Sequence, residues 1–453
     1  MEQVKEKGLM TEGSIPRHII AFAMPLILGN LFQQMYNTVD SIIVGRFIGG
    51  TALAAVGSST PIVGLLVGMF VGLTSGASVV ISQHFGAGRL EEVKKAIHTT
   101  LFFSVIFGIA LSAVGCAMTD RILIWIDTPP EVFRQASVYL KVFFSGVFFM
   151  GLFNMGAAVL RGMGDSRSPL YYLSVVCVVN IILDVVFVVG FGTDVEGAAL
   201  ATIIAQAIAA FLVIRKMMRF PEAYRLVLKE VRCHWDQLKM ILRVGIPTGL
   251  QSMVISLSNV ILQGAINGFG ADAMAGWSAY SKLDTILLMP FQSFGIAMTT
   301  FTGQNIGANR LDRVSGAVRA AAVMSCVWAA LSGTTLYVLA EPALAIFCEE
   351  AAVLDYGVYM LRNMVPFYFL LGLNQVFAGT INGAGDTTAT MVVAVGNMCV
   401  LRIFVLNLLS CYVTTFEVIF YTYIITWFGC AFCQGLYYFS GRWKKKSRLI
   451  ASN

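Results

Sequence analysis

Apolar residues fill long stretches of this chain, and short polar segments separate them. A window of about 19 residues, the length suited to finding membrane helices, selects twelve apolar stretches. They lie at 17–45, 52–83, 97–118, 135–160, 169–190, 197–214, 241–266, 274–302, 320–340, 357–380, 388–410 and 416–439. A helix that crosses a bilayer takes about 17 to 25 residues. The pattern therefore predicts an all-α polytopic membrane protein with twelve transmembrane helices, of which the first two are long enough to tilt, bend or protrude.

Composition supports a lipid environment. Of the 453 residues, 57% are hydrophobic and only 12% are charged, whereas soluble globular chains carry roughly 25% charged residues. The mean hydropathy is +0.77. Residues 1–16 are polar and lack the pattern of a cleavable signal peptide. We therefore expect a multi-pass protein of the cell membrane.

Basic residues predict the orientation of the chain. With the N-terminus in the cytoplasm, the inner segments carry 24 of the 31 Lys and Arg residues when Arg17 and Arg243, at the inner ends of their spans, are counted with them. The outer loops carry three, and the remaining four fall within spans. This bias predicts that both termini are cytoplasmic. The net charge of +6 follows from that topology and gives no reason to expect a nucleic acid partner.

The same pattern divides the chain into five regions. They are a cytoplasmic tail at 1–16, a six-helix lobe at 17–214, a basic cytoplasmic linker at 215–240, a second six-helix lobe at 241–439 and a basic cytoplasmic tail at 440–453. In the last region, Arg442, Lys444, Lys445, Lys446 and Arg448 are expected to anchor the tail to anionic headgroups of the bilayer.

The two lobes are related in sequence. The segment QHFGAGRLEEVKKA that begins at Gln83 returns as QNIGANRLDRVSGA at Gln304, with seven of fourteen residues identical at an offset of 221. The segment RGMGD that ends at Asp165 returns as NGAGD at Asp386 with the same offset. Six spans per half give the two halves the same orientation, so the repeat is parallel, a plan used by transporters.

These segments resemble the multidrug and toxic compound extrusion (MATE) family. Its marks include a Pro and an Asp in the first helix, a Q-x-x-G-A-x-R segment after helices two and eight, and a G-x-G-D turn after helices four and ten. Here they are matched by Pro25 with Asp40, by the segments at Gln83 and Gln304, and by the turns that end at Asp165 and Asp386. The resemblance implies two six-helix lobes, a central cavity, and export of organic cations or similar amphiphiles in exchange for Na⁺ or H⁺.

Acidic residues inside spans are costly and are functional candidates by default. Asp40 has Tyr36 and Asn37 at i−4 and i−3, so the three share one helical face. Asp184 in the fifth span has Asn180 at i−4. Both acids lie towards the outer part of their helices.

Thr202 in the sixth span lies at a similar depth in the membrane to the two acids and adds a hydroxyl oxygen. Two chemistries suit these oxygens. Carboxylate, amide and hydroxyl oxygens are hard ligands for small cations, and two close carboxylates in a low dielectric retain a proton. The resemblance implies an ion site at Asp40, Asp184 and Asn180, where Na⁺ could bind, and Asn154 and Thr202 also fit it. The alternative is a pair of buried acids held by structural hydrogen bonds.

The repeat suggests that this site belongs to one half. At the offset of 221, Asp40 corresponds to Ile261 and Asp184 to Val405, so the second half lacks both acids. Another branch of the family carries acids on helices seven and ten, and the spans 241–266 and 357–380 have none. We therefore expect the branch with a cation site in the N-terminal lobe, which is DinF-like.

The second half has charges of its own. Lys282 and Asp284 lie in the eighth span and Arg402 in the eleventh. Asp284 could attract a cationic substrate, but a pair with Arg402 or Lys282 is the favoured interpretation, because buried charges usually find partners.

These features predict a secondary active multidrug antiporter that works as a monomer, takes small cationic or amphiphilic substrates, and needs no cofactor besides its coupling ion. A lipid-linked sugar or lipid flippase of related design is the alternative. A membrane enzyme is disfavoured, because all four histidines lie at the cytoplasmic margin or in the linker and no metal or nucleophile motif appears.

The G-x-G-D turns are expected to cap the helices that follow them.

Overall fold

Twelve long helices account for most of this chain. The computed structural model describes residues 9–347 and 350–446, and leaves the side chains of residues 60, 61, 445 and 446 undescribed. In chain order the helices are α1 Ile15–Ile48, α2 Gly50–Gly86, α3 Leu90–Trp125, α4 Pro130–Gly162, α5 Arg167–Gly190, α6 Val195–Met218, α7 Trp235–Asn267, α8 Ala271–Gly307, α9 Leu311–Val338, α10 Ala351–Gly383, α11 Thr387–Ser410 and α12 Glu417–Phe439. Each is long and apolar enough to cross a membrane, which confirms the all-α fold with twelve transmembrane helices.

The helices extend past the apolar stretches that predict them, because polar residues continue their first and last turns. α1 and α2 run for 34 and 37 residues, well beyond the thickness of the hydrocarbon core. α7 and α10 begin early enough to include Asp236 and Asp355, so these two helices do contain acids, although Asp355 is exposed and both lie near helix starts.

Three helices contain a π-helical turn that the hydropathy pattern does not predict. The turns are Val44–Ile48 in α1, Val185–Gly190 in α5 and Gly396–Leu401 in α11. Such turns interrupt the regular hydrogen-bond ladder and occur often at functional sites. α10 has a different interruption, the 3₁₀ turn Val365–Phe367.

The helices form two compact units whose limits differ from the predicted lobes. The N-terminal unit contains Pro25–Gly245, and the C-terminal unit contains Leu9–Met24 together with the described residues from 246 onwards. The boundaries thus fall inside α1 and α7, next to Pro25 and near Pro247, rather than at the ends of the linker 215–240. Pro in a helix interior removes a backbone hydrogen bond, so each boundary lies where its helix is weakened.

Hydrogen bonds explain why residues 9–24 belong to the C-terminal unit. The backbone N–H of Met10 donates to Gln304 over 2.9 Å, and the Asn305 amide donates to the Met10 carbonyl over 3.3 Å. Arg313 donates to the carbonyls of Met10, Glu12 and Gly13 at 3.0 to 3.3 Å. The second copy of the repeated segment thus binds the chain just before α1.

The linker binds the corresponding surface of the N-terminal unit. The N–H of Val227 donates to His98 over 3.2 Å, and the N–H of His234 donates to Thr99 over 3.1 Å. An ion pair of 2.7 Å joins Lys94 to Glu230. These contacts hold the linker along the start of α3.

Each unit has its own apolar core. In the N-terminal unit, buried residues of α2, α4 and α6 such as Phe70, Phe144 and Ala198 pack together. In the C-terminal unit the core includes Phe291 and Trp427. Many large apolar side chains on other helix faces are exposed, as expected of surfaces that contact lipid.

The turn before α5 caps its helix as predicted. Asp165 accepts hydrogen bonds from the backbone N–H groups of Arg167 and Ser168 at 3.1 and 3.0 Å.

At the basic end of the chain, Arg442–Lys446 forms a short helix. Arg448 of the predicted anchor lies outside the described residues, as do residues 1–8 of the predicted N-terminal tail.

Candidate functional site

The two acids of the N-terminal unit occupy similar positions at the ends of regular helix. Asp40 lies one turn before the π turn Val44–Ile48, and Asp184 directly precedes the π turn Val185–Gly190. The two π turns lie in the same unit and contact each other. The interrupted ends of α1 and α5 therefore bring the two acids together.

The two carboxyl groups lie within hydrogen-bonding reach of each other. Asp184 is fully buried and Asp40 is half-buried. Among the described residues, neither oxygen of Asp184 has a hydrogen-bond donor, nor has Oδ1 of Asp40, although all three atoms are buried. Buried charged oxygens without donors cost several kcal/mol, so this arrangement of the pair is energetically unfavourable when both acids are ionised and unoccupied.

Asn180 and Thr202 add oxygens beside Asp184. Asn180 precedes Asp184 by one helical turn, and its amide donates to the Thr202 hydroxyl over 3.4 Å. The Asn180 carbonyl oxygen is buried and has no donor. Four buried oxygen atoms from three side chains therefore lack donors in this part of the unit, and hard oxygen atoms of this kind suit Na⁺.

Two buried tyrosines lie within electrostatic range of the acid pair. Tyr36 is buried as the helical face predicts, whereas Asn37 is exposed and does not join the buried set. Tyr139 of α4 is also buried and lies within electrostatic range of Asp40, Asp184 and Tyr36. Sequence reasoning missed Tyr139, because only the packing of α4 brings it near the acids.

Asn154 forms its hydrogen bond within its own helix and not with the residues around the acids. Its amide donates to the carbonyl of Met150 in its own helix over 2.8 Å. It is half-buried on α4. The described contacts thus join Asn180 and Thr202 to the site but not Asn154.

Among the described residues, the charges within the spans of the C-terminal unit, Lys282, Asp284 and Arg402, form no ion pair with one another, contrary to prediction. Asp284 accepts hydrogen bonds from the hydroxyls of Tyr280, at 3.2 Å, and Tyr368. Lys282 is exposed, with its ammonium 5.3 Å from the ring centre of Phe347. Two phenol donors thus satisfy the acid, because α10 brings Tyr368 to a position that sequence spacing could not show.

Arg402 is also without an acidic partner. It is only 3% exposed. Its guanidinium donates to the side-chain oxygen Oδ1 of Asn259 over 2.8 Å and lies 4.9 Å from the ring centre of Tyr423. None of the ion pairs found among the described residues includes it. The predicted pair between Arg402 and Asp284 is therefore wrong.

Comparison with known proteins identifies the family. The MatE family profile matches residues 25–186 and 247–409, once in each half. The probable multidrug resistance protein YoeA of Bacillus subtilis (strain 168) is 31% identical over 456 residues, which cover 96% of each chain. The probable multidrug resistance protein NorM of Thermotoga maritima is 25% identical over 448 residues, covering 96% of this chain and 94% of the relative.

The fold agrees with this family. A solved structure described as the outward-facing conformation of a multidrug resistance MATE family transporter matches with a TM-score of 0.89. The match covers 98% of this chain and 99% of that chain, at 22% sequence identity. With a profile match in each half, a relative of the same length and a shared fold, this chain belongs to the MATE family of multidrug efflux transporters.

Proposed function

We propose that this protein is a secondary active antiporter that exports organic cations or amphiphilic drugs and takes up Na⁺ or H⁺ in exchange. The observation that carries the proposal is the pair of acids Asp40 and Asp184, whose buried oxygens have no donors. A site of this kind is stable only when a cation or proton occupies it, or when water reaches it in another conformation. Its occupancy therefore favours one conformation over another.

This preference is what antiport requires. A ligand shifts a conformational equilibrium only by the difference in its affinity for the two states. Binding of the coupling cation between Asp40 and Asp184 would favour the state that encloses the acids. Release of the cation on the other side of the membrane would favour the state that hydrates them, and the drug would bind to one state in preference.

Each of the two acids and their polar neighbours has a role in this proposal. Asp40 and Asp184 would hold the cation or proton, Asn180 would add its carbonyl oxygen, and Thr202 would orient the Asn180 amide through the 3.4 Å hydrogen bond. Tyr36 and Tyr139 would enclose the acid pair. We further propose that both termini are cytoplasmic and that the monomer is the working form, since the acids and their neighbours all belong to one unit of one chain.

Dye export from proteoliposomes under imposed gradients tests the proposal. Proteoliposomes that contain purified protein are loaded with an ethidium-like dye, and its export is followed after a Na⁺ gradient, a pH gradient or neither is applied. We expect transport only with one of the two gradients. Transport at the same rate without either gradient would contradict antiport.

A further inference from the structure

The internal repeat gives the acid site a counterpart in the C-terminal unit. At the offset of 221, Tyr423 of α12 corresponds to Thr202 of α6. Arg402 of α11 is one residue past the counterpart of Asn180, and Asn259 of α7 is two residues before that of Asp40. The first, fifth and sixth helices of each half therefore supply both sets of polar groups.

The chemistry of the two sets is opposite. In the N-terminal unit these helices carry Asp40 and Asp184. In the C-terminal unit they carry Arg402, whose guanidinium bonds the neutral side chain of Asn259 and lies over the ring of Tyr423. The corresponding helices of the two units thus carry opposite charge near the counterpart positions.

Arg402 has donors to spare. A guanidinium has five N–H groups, and the buried Nε of Arg402 has no partner in the part of the chain that the structure describes. Asp284, the acid in the interior of α8, already accepts hydrogen bonds from Tyr280 and Tyr368. A buried cation without an anion is costly inside a membrane protein and marks a functional site by default.

We propose that Arg402 binds the anionic group of a transported substrate, and that the substrate class includes aromatic amphiphiles that bear a carboxylate. A carboxylate would accept two parallel hydrogen bonds from the guanidinium, the geometry that arginine favours. The identity of the ligand as cargo rests on the export activity proposed above, whereas its binding at Arg402 does not.

Aromatic rings beside Arg402 favour an aromatic ligand. The Tyr423 ring lies 5.6 Å from Trp277 and 5.5 Å from Trp427, measured between ring centres. Tyrosine and tryptophan offer flat apolar faces that also carry polar edges. An organic anion with fused rings therefore matches this surface better than an inorganic anion does.

A π turn provides a route by which the site opens. Arg402 is closed off in the present conformation, with 3% of its surface exposed. The π turn Gly396–Leu401 ends directly before it, and Gly396 is exposed, with no described atom within 4 Å of a Cβ added there. A shift of this turn would move Arg402 without breaking a regular helical ladder.

Two matched dyes test the proposal by direct binding. Rhodamine 110 has a free carboxylate, and rhodamine 123 is its methyl ester, so the pair differs only in the anionic group. Fluorescence anisotropy of each dye is measured with detergent-purified protein and no ion gradient, so that failure of antiport does not affect the result. The variants are Arg402→Gln and, as a control, Arg362→Gln, which removes an exposed arginine of the same unit that lies 5.9 Å from the ring centre of Tyr337.

We expect Arg402→Gln to weaken binding of rhodamine 110 by about 10- to 100-fold, the range for loss of a charge-assisted hydrogen bond. Binding of rhodamine 123 should change by less than about threefold, and Arg362→Gln should change neither. Equal losses for both dyes, or no loss for rhodamine 110, would overturn the proposal. If Arg402→Gln does not give monodisperse protein, Arg402→Lys decides: a selective loss for rhodamine 110 supports the proposal, and an unchanged ratio of the two affinities refutes it.

Discussion

The side-chain amide of Asn180 donates a hydrogen bond of 3.4 Å to the hydroxyl of Thr202, which in turn donates to the carbonyl of Ala198 over 3.2 Å. These two consecutive hydrogen bonds fix the direction of the Asn180 side-chain amide. The amide nitrogen faces Thr202, and the amide oxygen is left buried without a donor. Thr202 thus sets the direction of the amide oxygen that the cation site proposed beside Asp184 would use.

Replacement of Thr202 by valine tests this relationship. Valine keeps the shape but cannot accept the bond from Asn180, so the amide loses its orientation. We expect the apparent affinity for the coupling ion to fall about tenfold, which corresponds to about 1.4 kcal/mol. The measurement is the rate of dye export against the concentration of Na⁺ or H⁺.

The matched control is Thr335→Val. Thr335 is exposed and its hydroxyl bonds the Leu331 carbonyl of its own helix over 2.8 Å. This variant should export dye with the ion dependence of the unmodified protein. An unchanged ion dependence in Thr202→Val as well would remove Thr202 from the proposed site.

Much of this architecture is predictable from sequence, because lipid imposes simple rules. A span must be apolar and long, so hydropathy finds the twelve helices. A charge inside a span is rare, so Asp40, Asp184 and Arg402 are conspicuous. The constant offset of 221 reveals the two halves without any structure.

Contacts between helices distant in sequence are not predictable in this way. Tyr368 bonds Asp284 from another helix, and Tyr139 reaches the acids from α4. Hydropathy also cannot show the π turns, since a π turn and a regular turn have the same composition. The unit boundary at Pro25 depends on hydrogen bonds from Arg313, almost 300 residues away in sequence.

Close packing of α2 against α7 gives a prediction about stability. A Cβ atom added to Gly76 would lie 2.2 Å from the carbonyl oxygen of Ile241, which is backbone and cannot move aside cheaply. We expect Gly76→Ala to destabilise the protein by about 1–3 kcal/mol, as overpacking does. The unfolding temperature of purified protein in detergent measures this loss.

Gly64 in the same helix provides the control, because nothing lies within 4 Å of a Cβ atom added there. Gly64→Ala should leave the unfolding temperature unchanged or raise it, since alanine favours helix by about 1 kcal/mol. Equal effects of the two substitutions would show that the contact with Ile241 does not limit packing.

The linker should loosen at acidic pH. His234 accepts a hydrogen bond at Nε2 from Arg232 over 3.2 Å, and burial, with a further contribution from Arg232, lowers the pKa of His234 below its usual 6.5. The folded state thus prefers neutral His234. The linker contacts should be complete above about pH 6.5 and weaken as the pH falls below that value, because the released histidine then takes up the proton.

Hydrogen exchange of residues 224–234, corrected for the intrinsic rate at each pH, measures this effect. Exchange should be faster at pH 5.5 than at pH 7.5, and His234→Gln should reduce the difference, since glutamine accepts a bond but does not titrate. His98, which accepts from Val227, remains in both proteins. Glu230 stays ionised, since the hydrogen bond from Lys94 lowers its pKa. If the difference in exchange between pH 5.5 and pH 7.5 is the same in His234→Gln as in the unmodified protein, protonation of His234 is not the cause of the loosening.

Export by variants of the two acids tests the central claim most directly. Asp40→Asn and Asp184→Asn are compared with Asp272→Asn, an exposed acid in the first turn of α8. Each protein is checked for membrane insertion and expression, and export of an ethidium-like dye is then measured under the gradient that drives the unmodified protein. We predict that both site variants insert normally and export dye no faster than vesicles without protein, while Asp272→Asn exports at the normal rate. Normal export by Asp40→Asn or Asp184→Asn would contradict the account.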